Sequence, residues 1–530
     1  MTGLTIILLL VVLATAVATG ARHWRLPAPS LLVVAGLGVG LLPWVPDVHV
    51  APEVISVLVL PPLLYASAEE MSGRELRAVW RPVTVLVFGL VLASAAAVGM
   101  VASVLTPLTA QAAFVLGAVL ASTDPVAVTA LGRRLSLPPR VQAMVQAESL
   151  FNDATSLVLF KVAVGTAVAA GAVSLPSAAG QFAVLGGGGA LVGVAVAGVV
   201  MLIRRRTEDP VLETVIALVT PYAAYVLAED VHTSGVTAVV VAGVILGSTG
   251  HRLTTAPIRL QVHAVYETVV FLLESIVFAL IGLQLPTLVR QLATDERGWP
   301  LWVPAVAFTV LAIRLLWVFP LSALMQYRRG AGKEQGTAFR DRVSWRVPAV
   351  LSWAGTRGVM PLAAALSIPL VTHSGAPLPH RALILTLTTG TVALTLVVQG
   401  FTLAPVVRRS GIALEPEHTA REETRARHHL VRAALAELEQ FEELEAVPET
   451  VLKEARRHLE ARLRQADDDS DSGTEGPAVR LDDAYREVRR SLIAVETAEL
   501  QQLYEANKIS NSTRRRLQRA LDLEEAGLGD

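Results

Sequence analysis

The sequence predicts an all-α polytopic membrane protein of about thirteen transmembrane helices, followed by a charged helical tail. Three observations carry this. The 530-residue chain is 53% hydrophobic and only 17% charged, where a soluble domain holds about 25% charged residues. Its apolar residues run in continuous stretches, without the two-residue alternation of a membrane β-barrel. Its Lys and Arg residues fall almost entirely on alternate connections between those stretches.

A helix needs about 20 mostly apolar residues to cross a hydrocarbon core of about 30 Å. Such runs fall at 3–21, 29–43, 53–68, 82–105, 111–131, 141–170, 181–203, 211–228, 233–248, 264–285, 301–325, 347–371 and 382–407, of which the second, third and ninth are short. Leu4 to Thr19 lacks a preceding basic segment and a cleavage site, so the first run reads as a retained helix and not a signal peptide. One set of connections holds 21 Lys and Arg residues, whereas the other holds only Arg290, Arg297 and Arg381. The positive-inside rule then puts the N-terminus outside and the tail in the cytoplasm, in a multi-pass protein of the plasma (inner) membrane. Trp24, Trp44, Trp80, Trp299, Trp302 and Trp345 fall near run ends, where interfacial anchors belong. A transmembrane domain at 1–407 thus precedes a cytoplasmic tail at 408–530. The first part holds 25 basic against 19 acidic residues and the tail 20 against 27. With no cysteine, disulfide and thiol chemistry are excluded.

Ionisable side chains deep in a bilayer are costly and mark functional candidates. At about 1.5 Å per residue, Asp124 lies about 13 residues into the fifth run and Asp153 about 12 into the sixth, from the opposite face. Glu274 lies about 10 into the tenth, Arg314 about 13 into the eleventh and Arg357 about 10 into the twelfth. All five sit near mid-membrane, roughly 15–20 Å deep. Glu148 is about one turn from Asp153 toward the cytoplasm. Lys161, near the outer end of the sixth run, can snorkel to water. Asp124, Glu148, Asp153 and Glu274 outnumber Arg314 and Arg357. A dry cluster with that excess of negative charge would be prohibitively expensive. The set calls for a cation, water or protons, and argues against an anion carrier.

The sixth run reads Glu148-Ser149-Leu150-Phe151-Asn152-Asp153. At about 100° per residue, Glu148, Ser149, Asn152, Asp153 and Ser156 share an arc of roughly 140°. Hard oxygen ligands suit a small alkali cation, and the same carboxylate can hold a proton instead. Competition at one site is the minimal chemistry of antiport. The alternative is a structural polar network between helices. The fifth run carries Ser122-Thr123-Asp124-Pro125, and Pro125 should break the helix there. The twelfth carries Gly355-Thr356-Arg357-Gly358 and then Pro361, at matching depth. Broken helices in corresponding positions point to a transporter site. Asp124 can counter the positive N-terminal end of a half-helix and Arg357 the negative C-terminal end. Two ordinary proline kinks are the alternative.

These residues, with Pro61-Pro62-Leu63-Leu64-Tyr65 and Glu274-Ser275-Ile276-Val277-Phe278 before Ile281-Gly282, resemble the sodium/proton exchanger family, the first branch of the monovalent cation:proton antiporters, in its bacterial form. The resemblance covers about residues 4–407. It implies a fold of inverted repeats, with a mobile core built on two crossing broken helices and a separate dimerisation domain, hence a homodimer. It implies that Asp153 binds the transported Na⁺ and the proton alternately. Thr123, Ser149 and Asn152 would line or brace that site, with Glu148 paired to Arg314. Asp124, Arg357 and Glu274 would complete the supporting charges. An Asn before the Asp resembles the electroneutral branch. Where many relatives carry an acid after the Pro-Pro stretch, this chain has Ala66, Ser67 and Ala68.

The tail shows helical apolar spacing at 415–465 and again at 478–525, around an acidic linker near 467–476. Leu430, Leu435, Leu438 and Phe441 could form one buried face. A solvated helix pair and a regulatory or dimer-stabilising domain are both open readings. No cofactor, resident metal cluster, nucleic-acid partner or enzymatic motif is expected; the partners are a monovalent cation, lipid and a second copy. Ligand type barely separates Na⁺ from K⁺ or Li⁺, so K⁺/H⁺ exchange is the nearest rival. A transporter-like sensor signalling through its tail is a second, and a cation channel a third.

Overall fold

The computed structural model describes residues 3–24, 27–43, 55–71, 83–123, 139–168, 175–207, 209–253, 255–330, 345–371 and 376–411, with residues 76–77 and 80, and beyond 411 residues 430–440 and scattered helical positions from 428 to 524. Two compact units divide the chain, Met1–Ala413 and Leu414–Asp530.

The described part of the first unit is built from α-helices. In chain order they are α1 (Gly3–Trp24), α2 (Ala28–Gly40), α3 (Leu60–Glu69), α4 (Val91–Leu105), α5 (Ala110–Leu120), α6 (Pro139–Val168) and α7 (Leu175–Arg204). Then come α8 (Pro210–Asp230), α9 (Gly235–Leu253), α10 (Ala256–Arg290), α11 (Trp299–Gly330), α12 (Arg346–Trp353), α13 (Val359–Leu366) and α14 (Arg381–Ser410). Among the described residues, seven stretches are long and apolar enough to cross a membrane, and five shorter apolar helices accompany them.

Local chemistry sets the ends. Asp209 caps α8 by accepting from the backbone N–H of Val211 (2.7 Å) and Leu212 (3.3 Å), with Pro210 in the first turn. The π-turn Ile55–Val59 precedes Pro61 and Pro62, which have no N–H to give the preceding turn. The twelfth apolar run, expected to break, does so: α12 ends at Trp353, residues 354–358 are non-helical, and α13 restarts at Val359. The fifth run stops being helical at Leu120. Asp124 and Pro125 lie outside the described residues.

The helices pack as two groups. α2, α3, α7, α8, α9 and α10 pack mainly on one another, with α1 on α2 and α10; α4, α5, α11, α12, α13 and α14 form the second group. α6 borders both, touching α4, α5, α12 and α13 on one side and α3, α7 and α9 on the other. With no hydrophobic drive between helices in lipid, small residues must let backbones close up. They do. A Cβ on Gly36 would strike the Ala279 carbonyl, and one on Gly282 the Val33 carbonyl, where α2 lies along α10. The outer surface is apolar: Val104, Leu191, Leu301 and Phe308 are more than 70% exposed. Polar Asn152, Ser352, Thr356 and Arg357 are buried instead. A face of that kind is stable against hydrocarbon and a liability in water.

In the second unit, residues 430–440 are helical. Val431 is buried and Leu435 and Leu438 are half-buried, an i, i+4, i+7 stripe. Leu430, expected on that face, is 70% exposed, because it lies about 100° round the helix from Val431. Phe441 lies outside the described residues.

Candidate functional site

Asp153 sits midway along α6 and is only 5% exposed. The Ser122 hydroxyl, just beyond the end of α5, donates to Asp153 Oδ1. One residue on, Thr123 Oγ1 lies 3.1 Å from Ser149 Oγ in a hydroxyl–hydroxyl hydrogen bond. Asn152 Nδ2 donates to Thr123 Oγ1 (3.2 Å) and, one turn back, to Glu148 Oε1 (3.4 Å). Because α5 stops at Leu120, residues 122 and 123 meet α6 as a non-helical strap. The Ser156 hydroxyl is spent on the Asp153 backbone carbonyl (3.1 Å).

Glu148 Oε1 is 2.5 Å from Arg314 Nη1 on α11, both side chains 2% exposed or less. Arg314 also donates from Nε (3.1 Å) and Nη2 (2.9 Å) to the Leu351 carbonyl. Leu351 is in the last turn of α12, where carbonyls lack helical partners and the dipole is negative. The guanidinium therefore caps a half-helix while neutralising Glu148. Gly355 leaves room for it, since a Cβ there would come within 2.6 Å of the guanidinium carbon. Arg357 is 1% exposed and within electrostatic reach of Arg314, Glu148 and Asp153. Among the described residues its Nε and Nη1 have no hydrogen-bond partner, and neither do Glu148 Oε2 and Asn152 Oδ1. The Asn152 Oδ1 acceptor, on the residue next to Asp153, suits a cation ligand set.

The transmembrane sodium/hydrogen exchanger pattern matches residues 7–409 of the chain. This chain belongs to the sodium/hydrogen exchanger family. Over 533 residues the exchanger is 36% identical to an uncharacterized Na⁺/H⁺ exchanger of Mycobacterium tuberculosis, covering 100% of this chain and 96% of the relative. It is 32% identical over 389 residues to an Na⁺/H⁺ antiporter of Aphanothece halophytica, covering 73% of this chain and 70% of that one. Its fold is similar to that of the sodium proton antiporter of Methanocaldococcus jannaschii at pH 8, with a TM-score of 0.62 at 21% identity, over 78% of this chain and 98% of that one. The exchanger is a multi-pass membrane transporter of monovalent cations and not an enzyme.

The structure brings together Asp153, Asn152, Ser149, Thr123, Glu148 and Arg314, with Arg357 close by. Glu274 is half-buried on α10, in the other helix group. Two participants escape a reading of deep charges alone. Ser122 is uncharged, although its place in Ser122-Thr123-Asp124-Pro125 at a helix break was a signal. Gly355 carries no chemistry, and only its neighbour Arg314 gives it a role. Lys161, near the end of α6, pairs with Glu229.

Proposed function

We propose that this protein exchanges Na⁺ for H⁺ at Asp153 by alternating access, one ion for one proton. The observation that carries the reading is the buried carboxylate of Asp153, distinct from the Glu148–Arg314 pair and set among oxygen ligands. Glu148 is paired with Arg314, and Asp153 is the carboxylate at which ion and proton alternate. Among the described residues, the cluster of Glu148, Asp153, Arg314 and Arg357 carries the same charge whether Asp153 holds Na⁺ or H⁺. One inner charge state thus crosses in both directions, which supports electroneutral exchange. Ser149, Thr123 and the free Oδ1 of Asn152 are the further ligands or braces.

Desolvation enforces the coupling. An empty, ionised carboxylate in so buried a site costs several kcal/mol. About 4 kcal/mol would slow the unloaded return about a thousandfold. Thirteen crossings in inverted repeats, with residues 121–123 and 354–358 in the breaks of two crossing helices, are the architecture this asks for. The Lys and Arg distribution puts the N-terminus outside and the tail inside. A second copy pairs through the α1–α3 and α7–α10 group, the half of the fold that does not carry Asp153.

Purified protein in vesicles with an entrapped pH dye tests the reading. A sodium pulse produces a pH change with the native chain and none with Asp153→Asn. Normal exchange by Asp153→Asn would end it.

A further inference from the structure

The helix that carries Asp153 is also tied, farther along, to the other helix group. Lys161 follows Asp153 by eight residues, about 12 Å along α6. Its ammonium pairs with Glu229 Oε1, near the C-terminal end of α8. The same oxygen accepts the backbone N–H of Gly235 at 2.9 Å, the first residue of α9. A Cβ on Gly235 would stand 3.0 Å from that oxygen and 2.9 Å from the Tyr225 carbonyl, so glycine lets the turn close on the carboxylate. A negative charge at a helix C-terminus is poorly placed against the dipole of α8. The N–H at the start of α9 and the lysine of α6 compensate it, and one carboxylate joins three helices.

The exposure of this pair sets it apart from Glu148–Arg314. Lys161 and Glu229 are 31% and 35% exposed, against 2% and 1% for the buried pair. A part-exposed ion pair is broken and remade more cheaply than a fully buried one. Between it and Asp153, Leu157 and Phe160 are buried on α6.

We propose that Lys161–Glu229 is a latch on one mouth of the exchange path, closed in the conformation seen here and parted each time Asp153 opens to that side. By the distribution of Lys and Arg this is the outer mouth. The proposal rests on the alternating-access reading above.

The chain has no cysteine, so Lys161→Cys with Glu229→Cys supplies two thiols and no others. The full-length double variant in vesicles is assayed before and after treatment with a short bis-methanethiosulfonate linker, and again after reduction. Mass spectrometry counts the linked molecules. Linked protein should lose at least about tenfold of its exchange rate, and reduction should restore it. Fully linked protein exchanging at its unlinked rate would overturn the latch, as would failure of the linker to join the two positions. As a second measurement, Lys161→Met is placed in a chain carrying Leu157→Cys. An impermeant thiol reagent added outside should label that cysteine several times faster than in the Lys161 parent, and an unchanged rate would count against the latch. The two readings fail separately. If Asp153→Asn abolishes exchange and linking does not, the latch alone is wrong. If linking stops flux while Asp153→Asn transports normally, the site assignment alone is wrong.

Discussion

Glu148→Gln and Arg314→Met, alone and combined, test how the charge cluster is held. Glu148→Gln leaves Arg314, 2% exposed, facing an amide with Arg357 also nearby. Removing one partner of a buried pair costs about 3–5 kcal/mol, because the remaining charge is stranded. Arg314→Met strands Glu148 and also frees the Leu351 carbonyl at the end of α12. Arg357 remains within reach of Glu148 and offsets part of that loss, so Glu148→Gln should be the more damaging single change. The double variant strands no charge. It should recover most of the loss, leaving about 1–2 kcal/mol for the uncapped carbonyl. The assay is the fraction of detergent-solubilised protein still monodisperse after heating, taken across temperature for all four chains. A double variant whose loss equals the sum of the singles would refute the reasoning, since independent sites add and members of one network do not.

Two further outcomes follow from the same geometry. Gly355→Ala puts a methyl group into the seat of Arg314 and should cost about 1–3 kcal/mol, the usual range for overpacking. Heat stability and exchange rate should fall together, while Gly38→Ala, with open space at that position, should change neither. A site of hydroxyl, amide and carboxylate oxygens around one carboxylate should turn over with Na⁺ and Li⁺ when either is pulsed onto dye-loaded vesicles. Exchange driven only by K⁺ would reassign the transported ion.

The membrane character and the break at 354–358 were legible because they rest on composition and on Gly and Pro, which act locally. The polar face of α6 was legible because helical period alone aligns Glu148, Ser149, Asn152 and Asp153. Contacts between helices distant in sequence were not. Nothing near Lys161 reveals that Glu229, 68 residues away, will meet it. Nothing near Ser30 reveals that its hydroxyl donates to the Leu396 carbonyl at 2.7 Å. In the tail stripe only the first member differs, Val431 in place of Leu430. Leu430 and Val431 are both apolar, and only packing chooses which one faces inward.

The most direct measurement is the proton released when the ion binds. Purified protein in dilute buffer is titrated with NaCl across a range of pH, with proton release read by a dye and ion binding by calorimetry. Wherever the site begins protonated, one proton should leave for each Na⁺ taken up, and Asp153→Asn should release none. Sodium binding that liberates no proton at any pH, or release unchanged in Asp153→Asn, would contradict the account.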